Sequence, residues 1–232
     1  MTNKKVLLSA PTSTYKQYIF LEWYLHASNL SYPNYEIVIV DNSHDEKYHK
    51  ELLKMGINVL YCNPKGKTNH QYITESQNML RDYFLKSKAA YYFSLEVDIF
   101  PPRNIIEQLM AANKDVISAP YFIDHGHKSR LLISYFEETT KDNWENVFPE
   151  LPELANFMDG TIKQTYENGI GCTLIKRHVL EKIAFRVEDF SPGHSDKYFY
   201  ADLWASTIHN WVDTSILVRH FNSDWSLNID NK

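Results

Sequence analysis

Short apolar runs alternate with segments of helical periodicity through the first half of the chain. The apolar runs predict strands at residues 6–10, 36–40 and 57–61. The periodic segments predict helices at residues 15–30, 46–55 and 68–86. Residues 36–40 are almost all β-branched, as in a parallel strand that is covered on both faces. This alternation predicts an α/β fold with a mostly parallel sheet flanked by helices.

A fourth apolar run begins at Tyr91 and stops at two carboxylates, Glu96 and Asp98. Pro101 and Pro102 follow, and they prevent a strand or a helix from continuing. Side chains two positions apart in an extended segment point to the same side, so the two carboxylates can converge. A divalent cation with hard oxygen ligands would relieve their repulsion. The alternative is a solvated strand end whose acids contact nothing.

Three carboxylates fall at the carboxyl ends of predicted strands. Asp41 closes the strand at residues 36–40, and Glu96 and Asp98 close the fourth strand. Ligands of open α/β sheets bind outside these strand ends. The sequence therefore predicts that one crevice holds all three carboxylates.

The second half of the chain has a weaker pattern. Helices are predicted at residues 104–112, 177–183 and 196–209, and strands at residues 115–119, 169–175 and 215–218. Residues 124–165 are largely polar and irregular, which predicts a loop-rich insertion over the crevice. Such segments often carry specificity, and a purely structural excursion is the alternative.

Composition bounds the domain count and the class of partner. With 232 residues and no internal repeats, the chain is interpreted as a single domain. The net charge of −5 argues mildly against a broad non-specific nucleic-acid surface. Cys62 and Cys172 lie in apolar segments and are expected to be reduced core residues.

Export and membrane signals are not apparent in the sequence. The amino-terminal segment has no cleavage site of a signal peptide. No apolar stretch approaches the roughly 20 residues that span a bilayer. The protein is therefore expected to be cytoplasmic and soluble, without a transmembrane segment.

Three features of the first half resemble motifs of one enzyme family. The first predicted strand leaves through Pro11 and Thr12, as the family's first strand leaves through a proline-threonine pair. The second predicted strand ends at Asp41, as the family's second strand ends at an aspartate. Glu96 and Asp98 resemble the two acids of its DxD motif.

The second half resembles the same family. Residues 168–175 resemble its glycine-rich strand beside the acceptor site, and Ser195 with Asp196 resembles its Glu-Asp motif. His220 resembles its metal-binding histidine after the final strand. Over residues 5–221 the chain is therefore similar to family 2-type glycosyltransferases with the GT-A fold.

The resemblance implies a GT-A-type α/β fold in one domain, residues 1–232, with a loop-rich insertion. Residues 1–120 would form the nucleotide-sugar-binding half and residues 121–232 the acceptor-binding half. The implied donor-binding residues are Pro11, Thr12, Asp41, Gln77, Asn78 and Glu96. The implied metal ligands are Asp98 and His220, the catalytic base is Asp196, and the acceptor-side residues are Gly171 and Trp204.

Three positions depart from the family pattern. Glu96 replaces the first aspartate, at a position that often touches sugar or ribose rather than metal. Gln77 replaces the arginine of an alanine-arginine-asparagine run. Ser195 replaces a glutamate, which leaves Asp196 as the sole carboxylate of that motif.

The implied reaction is an inverting sugar transfer from a nucleotide-diphosphate sugar, with a UDP-sugar favoured, to a hydroxyl acceptor. A divalent cation, Mn²⁺ or Mg²⁺, would neutralise the charge of the diphosphate leaving group. Asp196 would deprotonate the acceptor hydroxyl. The acceptor class stays open among a glycan, a lipid-linked glycan, a protein and a modified nucleic acid.

Other functions are compatible with parts of this pattern. A retaining transferase on the same fold and a non-catalytic nucleotide-sugar-binding module are both alternatives. A nucleotidyltransferase would require a glycine-rich phosphate loop after the first strand, and residues 9–15 are not such a loop.

Single residues also have competing interpretations. Asp202 is the rival of Asp196 as the base, although a solvated helix face suits it better. His125 and His127 have a spacing that can bind metal, with polar surface as the alternative. Lys65 and Lys67 are candidate phosphate contacts, with a solvated loop as the alternative.

Overall fold

A computed structural model describes residues 3–125, 128–140, 143–147, 154, 156–188 and 194–221. The helices are α1 Gln17–Ala27, α2 Lys47–Lys54, α3 Asn69–Lys86, α4 Ile105–Ala111, α5 Arg177–Lys182 and α6 Ser195–Ala205. The first strands are β1 Val6–Thr12, β2 Tyr35–Asp41, β3 Val59–Tyr61, β4 Tyr91–Leu95, β5 Ile99–Phe100, β6 Val116–Ser118, β7 Phe122–His125 and β8 Lys128–Leu131. The later strands are β9 Ile133–Thr140, β10 Asn143–Val147, β11 Ile162–Thr165, β12 Glu167–Asn168, β13 Cys172–Lys176, β14 Asn210–Asp213 and β15 Arg219–His220.

The main sheet in the described part of the chain has eight strands in the order β11-β14-β6-β13-β4-β1-β2-β3. β1 is parallel to β2 and β4, β2 is parallel to β3, and β6 is parallel to β14. β13 is antiparallel to its neighbours β4 and β6, and β11 is an antiparallel edge strand. The predicted α/β fold, with a mostly parallel sheet flanked by helices, is confirmed.

Buried clusters lie on both faces of this sheet. Leu8 packs in a cluster with Trp23 of α1, whereas its neighbour Leu7 packs in another with Phe84 of α3 and Phe199 of α6. Successive residues of a strand point to opposite faces, so β1 is apolar on both. This two-sided burial explains why the central strands are continuous apolar runs in the sequence.

The division of the chain into halves at residue 120 stays a prediction. Within the described ranges, no helix is both long enough and apolar enough to cross a membrane.

The loop-rich insertion predicted at residues 124–165 is wrong where the structure describes that segment. β7 pairs with β8, β9 pairs with β10 and β12, and β11 joins the main sheet. These strands are short and largely polar in sequence, so they lack the apolar run from which β1 and β4 were predicted. Residues 126–127, 141–142, 148–153 and 155 lie outside the described residues, and a role of the segment in specificity stays a prediction.

Two predictions near the carboxyl terminus are also wrong. The helix predicted to extend to residue 209 ends at Ala205, and Thr207 follows in a left-handed conformation at φ 55°. The strand predicted at residues 215–218 does not form. The strand that pairs with β6 in this region is β14, which lies earlier in the chain. Asp213 Oδ1 accepts bonds from the Ser215 N–H at 3.0 Å and the Ser215 hydroxyl at 2.6 Å, which forms a turn there.

Arg177 joins the start of α5 to the end of α3. Its Nε donates to the Ala89 carbonyl at 2.8 Å, and its Nη2 donates to the Phe84 and Ser87 carbonyls at 3.0 and 2.9 Å. The last carbonyls of a helix lack partners within the helix. One side chain therefore caps α3 and fixes the loop that leads into β4.

Arg177→Met should lower the free energy of unfolding by about 2–4 kcal/mol, because partly buried carbonyls lose a charged donor. Arg177→Lys should recover only part of that loss, since an ammonium lacks the fork of donors. Urea denaturation measures both variants. Wild-type stability in Arg177→Met would contradict this role.

Candidate active site

The turn between β4 and β5 carries Glu96 and Asp98 at the edge of the sheet. The Ile99 N–H donates to the Glu96 carbonyl at 3.0 Å, and the Glu96 N–H donates to the Gly171 carbonyl at 2.9 Å. The Phe221 N–H donates to the Asp98 carbonyl at 2.8 Å. Backbone hydrogen bonds on both sides therefore fix the turn that carries the two carboxylates.

His220 reaches this turn through the pairing of β15 with β5, which places it opposite Ile99. Its Nδ1 lies 3.0 Å from the Phe122 carbonyl oxygen, and its Nε2 lies 3.3 Å from Asp98 Oδ2. A carbonyl can only accept, so Nδ1 carries a proton and orients the ring. Nε2 is therefore left facing Asp98. In many metal-binding histidines the nitrogen that does not bind the metal donates to a backbone carbonyl in this way.

Glu96, Asp98 and His220 form a candidate cation site. One ligand atom from each lies within 4.8 Å of the other two. Oxygen ligands at about 2.1 Å from an octahedral ion lie about 3 Å apart when adjacent and about 4 Å apart when opposite. Small side-chain shifts would therefore place all three around one ion. A set of carboxylates and an imidazole suits Mn²⁺ or Mg²⁺, so the residues present fit the cation.

The charges in this cluster are unequally stabilised. Burial raises the pKa of Glu96, and the charges of Asp98 and Asp196 raise it further. Burial also favours the neutral form of Asp98, but the hydrogen bond from His220 and the charge of Lys16 outweigh burial and lower its pKa. The pKa of His220 is lowered by burial, yet its bond to Asp98 more than reverses this and raises it. Asp98 is therefore the carboxyl group that keeps its negative charge.

Lys16 belongs to this cluster, although the sequence pattern did not reveal it. It ends a 3-10 turn, Thr14–Lys16, that follows β1, and its Nζ donates to Asp98 Oδ2. Its side chain is 18% exposed, against 3% for Asp98. The only signal was its position just past the carboxyl end of a strand.

Tyr121 and Gly171 border the cluster on the β13 side. The buried Tyr121 ring packs with His220 at a centroid distance of 5.2 Å, and its hydroxyl accepts from the Gly171 N–H at 3.1 Å. A Cβ on Gly171 would meet Glu96 Oε2 at 2.7 Å and the Tyr121 hydroxyl at 2.8 Å. Glycine is therefore needed here for both side chains to approach the backbone. Sequence reasoning missed Tyr121, because one tyrosine among sixteen carries no signal.

The ends of β1 and β2 place Thr12 opposite Asp41 and Pro11 opposite Val40. Asp41 Oδ1 accepts from the Ser43 N–H at 3.0 Å and the Ser43 hydroxyl at 2.6 Å. Its Oδ2 is buried, and no donor in the described ranges bonds to it. Burial raises the pKa of Asp41. Since buried polar atoms normally have partners, this oxygen is a candidate acceptor for a donor group of a ligand.

Gln77 and Asn78 both have protein partners. The Ser195 hydroxyl donates to Gln77 Oε1 at 2.5 Å, and both residues are buried. Asn78 Nδ2 donates to the Phe185 carbonyl at 2.8 Å, and the Phe185 N–H donates to Asn78 Oδ1 at 3.0 Å. Two positions that depart from the family pattern, Gln77 and Ser195, thus bond to each other. Asn78 joins α3 to the segment after α5.

Asp196 lies in the first turn of α6, where the helix dipole favours negative charge. Burial nevertheless raises its pKa. Trp204 is 44% exposed and lies about 12 Å further along the same helix, so the structure does not bring it to Asp196. The rival base Asp202 is engaged by Arg186, with donor–acceptor distances of 2.8 and 2.9 Å.

Of the remaining candidates, the structure describes the side chains of the two loop lysines but not those of the histidine pair. Lys67 pairs with Glu75, and Lys65 is exposed on its loop. The side chains of His125 and His127 lie outside the described residues. A phosphate contact by the loop lysines and a metal site at the histidine pair stay predictions.

Comparison with known proteins gives structural likeness without sequence likeness. No family model and no curated protein matches the chain. The structure of GalNAc-T7 with UDP, GalNAc and Mn²⁺ aligns with a TM-score of 0.63 at 11% identity, over 94% of this chain and 44% of that chain. S. aureus TarS 1–349 aligns with a TM-score of 0.55 at 15% identity, over 92% of this chain and 59% of that chain. A197 from STIV is 18% identical over 94% of this chain and 85% of that chain, with a TM-score of 0.49.

These alignments identify the fold. The protein has the GT-A-type fold of the glycosyltransferases, as the motifs predicted. The chain spans less than two thirds of the length of the GalNAc-T7 and TarS structures, at 44% and 59%.

Gln77→Met should lower the free energy of unfolding by about 1–3 kcal/mol, because the buried Ser195 hydroxyl loses its acceptor. The double variant Gln77→Met/Ser195→Ala should lose less than the sum of the two single variants, since both polar partners are then absent. Urea unfolding of the three variants measures this coupling. Strictly additive losses would show that the bond contributes nothing.

Proposed function

We propose that the protein transfers a sugar from a nucleotide-diphosphate sugar, preferably a UDP-sugar, to a hydroxyl acceptor with inversion at the anomeric carbon. The observation that carries this proposal is the convergence of Glu96, Asp98 and His220 at the sheet edge where Asp41 keeps a buried oxygen to which no described residue donates. The GT-A-type fold supports it, as does the UDP and Mn²⁺ in the GalNAc-T7 structure.

The nucleotide end of the donor is assigned to the ends of β1 and β2. Asp41 Oδ2 accepts a hydrogen bond from the base or the ribose, which supplies the donor that the described residues do not give this buried oxygen. Pro11 and Thr12 lie on the neighbouring strand and border the same space. Glu96 contacts a hydroxyl of the sugar or the ribose.

The diphosphate end is assigned to Asp98 and His220. When bound there, a divalent cation neutralises the charge that develops on the diphosphate as the bond to the sugar breaks. Asp98 supplies the negative charge, because its pKa is lowered. His220 supplies Nε2, and the Phe122 carbonyl holds its ring in place.

Asp196 is assigned as the general base. The acceptor hydroxyl gives its proton to the carboxylate as its oxygen forms a bond to the anomeric carbon. The bond between that carbon and the diphosphate oxygen breaks, and its electron pair leaves with the nucleoside diphosphate. A raised pKa makes Asp196 a stronger base than an exposed aspartate. One in-line displacement of this kind inverts the anomeric centre.

The acceptor is assigned to the side of the cluster bordered by Gly171. Trp204, two turns further along α6 than Asp196, is assigned to a more distant part of an extended acceptor. Gln77 and Asn78 are bonded within the protein, so the donor contacts are assigned without them.

Asp196→Asn should reduce kcat for sugar transfer by about 10²–10⁴-fold, because the amide cannot take the proton. The Kd of UDP in the presence of Mn²⁺ should change less than about twofold, since the diphosphate end does not involve Asp196. UDP release from a panel of UDP-sugars and calorimetric titration with UDP measure the two quantities.

Asp202→Asn is the matched control on the same helix. It removes the ion pair with Arg186 and should leave kcat within about threefold of the wild type. Equal losses of kcat in the two variants, or weakened UDP binding in Asp196→Asn, would contradict the base assignment. A retained anomeric configuration in the product, seen by NMR, would contradict inversion.

A further inference from the structure

The ammonium of Lys16 contacts the Asp98 oxygen that faces His220, the other candidate metal ligand. Lys16 Nζ donates to Asp98 Oδ2, and His220 Nε2 lies 3.3 Å from the same oxygen. Both side chains of the lysine–aspartate pair are largely buried, at 18% and 3% exposure. This ion pair is therefore partly shielded from water, which strengthens it relative to a surface pair.

The turn that carries Lys16 is also fixed to the nucleotide end of the crevice. The Lys16 N–H donates to the Ser13 carbonyl at 2.9 Å, and the Thr14 N–H donates to the Ser43 hydroxyl oxygen at 2.8 Å. That same hydroxyl donates to Asp41 Oδ1 at 2.6 Å. The backbone of Lys16 is thus anchored near Asp41, while its ammonium reaches Asp98. The diphosphate of a nucleotide sugar would lie between these two points.

A divalent cation and the Lys16 ammonium cannot both stay close to one oxygen without strong repulsion. A cation that binds alone must draw the ammonium away from Asp98 Oδ2 against the attraction of this ion pair. A diphosphate that arrives with the cation brings negative oxygens next to the displaced ammonium. A lysine is suited to such a change of partner, because its four-carbon stem is flexible and its ammonium is a point charge.

We propose that Lys16 is a ligand of the donor diphosphate that rests on Asp98 when the site holds no cation. The lysine thereby makes binding of the cation and of the nucleoside diphosphate cooperative. The cation releases the Lys16 ammonium for the diphosphate, and the diphosphate gives the displaced ammonium a negative partner. By linkage, the nucleotide must then strengthen cation binding by the same factor by which the cation strengthens nucleotide binding. This inference rests on the proposed function, because it places the diphosphate beside Asp98.

The test compares Lys16→Met, which keeps most of the stem and removes the charge, with the wild type. Mn²⁺ alone should bind Lys16→Met about tenfold more tightly, because the competing ammonium is gone. UDP at saturating Mn²⁺ should bind about tenfold more weakly, because a charged donor to the diphosphate is lost. Electron paramagnetic resonance of free Mn²⁺ and calorimetry with UDP give the two Kd values.

Two further variants control for charge and for folding. Lys16→Arg keeps a positive charge and should bind UDP within about threefold of the wild type. Lys54→Met removes an exposed lysine at the end of α2 and should match the wild type in both titrations. Circular dichroism and a thermal melt establish that each variant is folded.

The opposite signs of the two effects separate this role from a merely structural one. A loss of structure would weaken the binding of both Mn²⁺ and UDP. Unchanged or weaker Mn²⁺ binding in Lys16→Met would overturn the competition, and unchanged UDP binding would overturn the diphosphate contact. If the wild type binds neither Mn²⁺ nor UDP, the proposed function fails and this inference fails with it.

Discussion

The pairing of β5 with β15 is the interaction on which the candidate site depends. These strands are only Ile99–Phe100 and Arg219–His220, yet their ladder places His220 opposite Ile99 and beside Asp98. Asp98 and His220 come from different halves of the chain, so nothing local holds an imidazole against that carboxylate. The Phe221 N–H closes the arrangement by bonding to the Asp98 carbonyl. The candidate cation site is therefore a consequence of the completed fold.

The buried carboxyl groups around the candidate cation site lower the stability of the fold and would be stabilised by a bound cation. Burial raises the pKa of both Glu96 and Asp196, so keeping either of them ionised costs free energy. Asp98 stays charged because Lys16 and His220 contact it. A fold selected for stability alone would not gather three carboxyl groups in one partly buried place. A cation would relieve this arrangement, and such local conflicts are characteristic of functional sites.

The first half of the fold was predictable because β1, β2 and β4 are buried on both faces and leave uninterrupted apolar runs. Because Asp41 and Asp98 follow the ends of two of these strands, the sequence also predicted that they lie at the same edge of the sheet. The small sheets within residues 124–165 were not predictable, since short polar strands resemble loops. Contacts across the fold left no pattern either: Lys16 reaches Asp98 through a flexible stem, and Ser195 meets Gln77 only once α6 packs beside α3. His220 was suggested by the family resemblance alone, because a single histidine after a strand has no periodicity.

In the proposed function, Asp98 and His220 hold the cation on which the donor diphosphate binds. Crystals soaked with MnCl₂ and UDP, measured at the manganese absorption edge, test it most directly. We expect an anomalous peak about 2.2 Å from both an Asp98 carboxylate oxygen and His220 Nε2, with diphosphate oxygens completing the coordination. UDP bound with no peak at this cluster, or a peak at other residues, would contradict the claim.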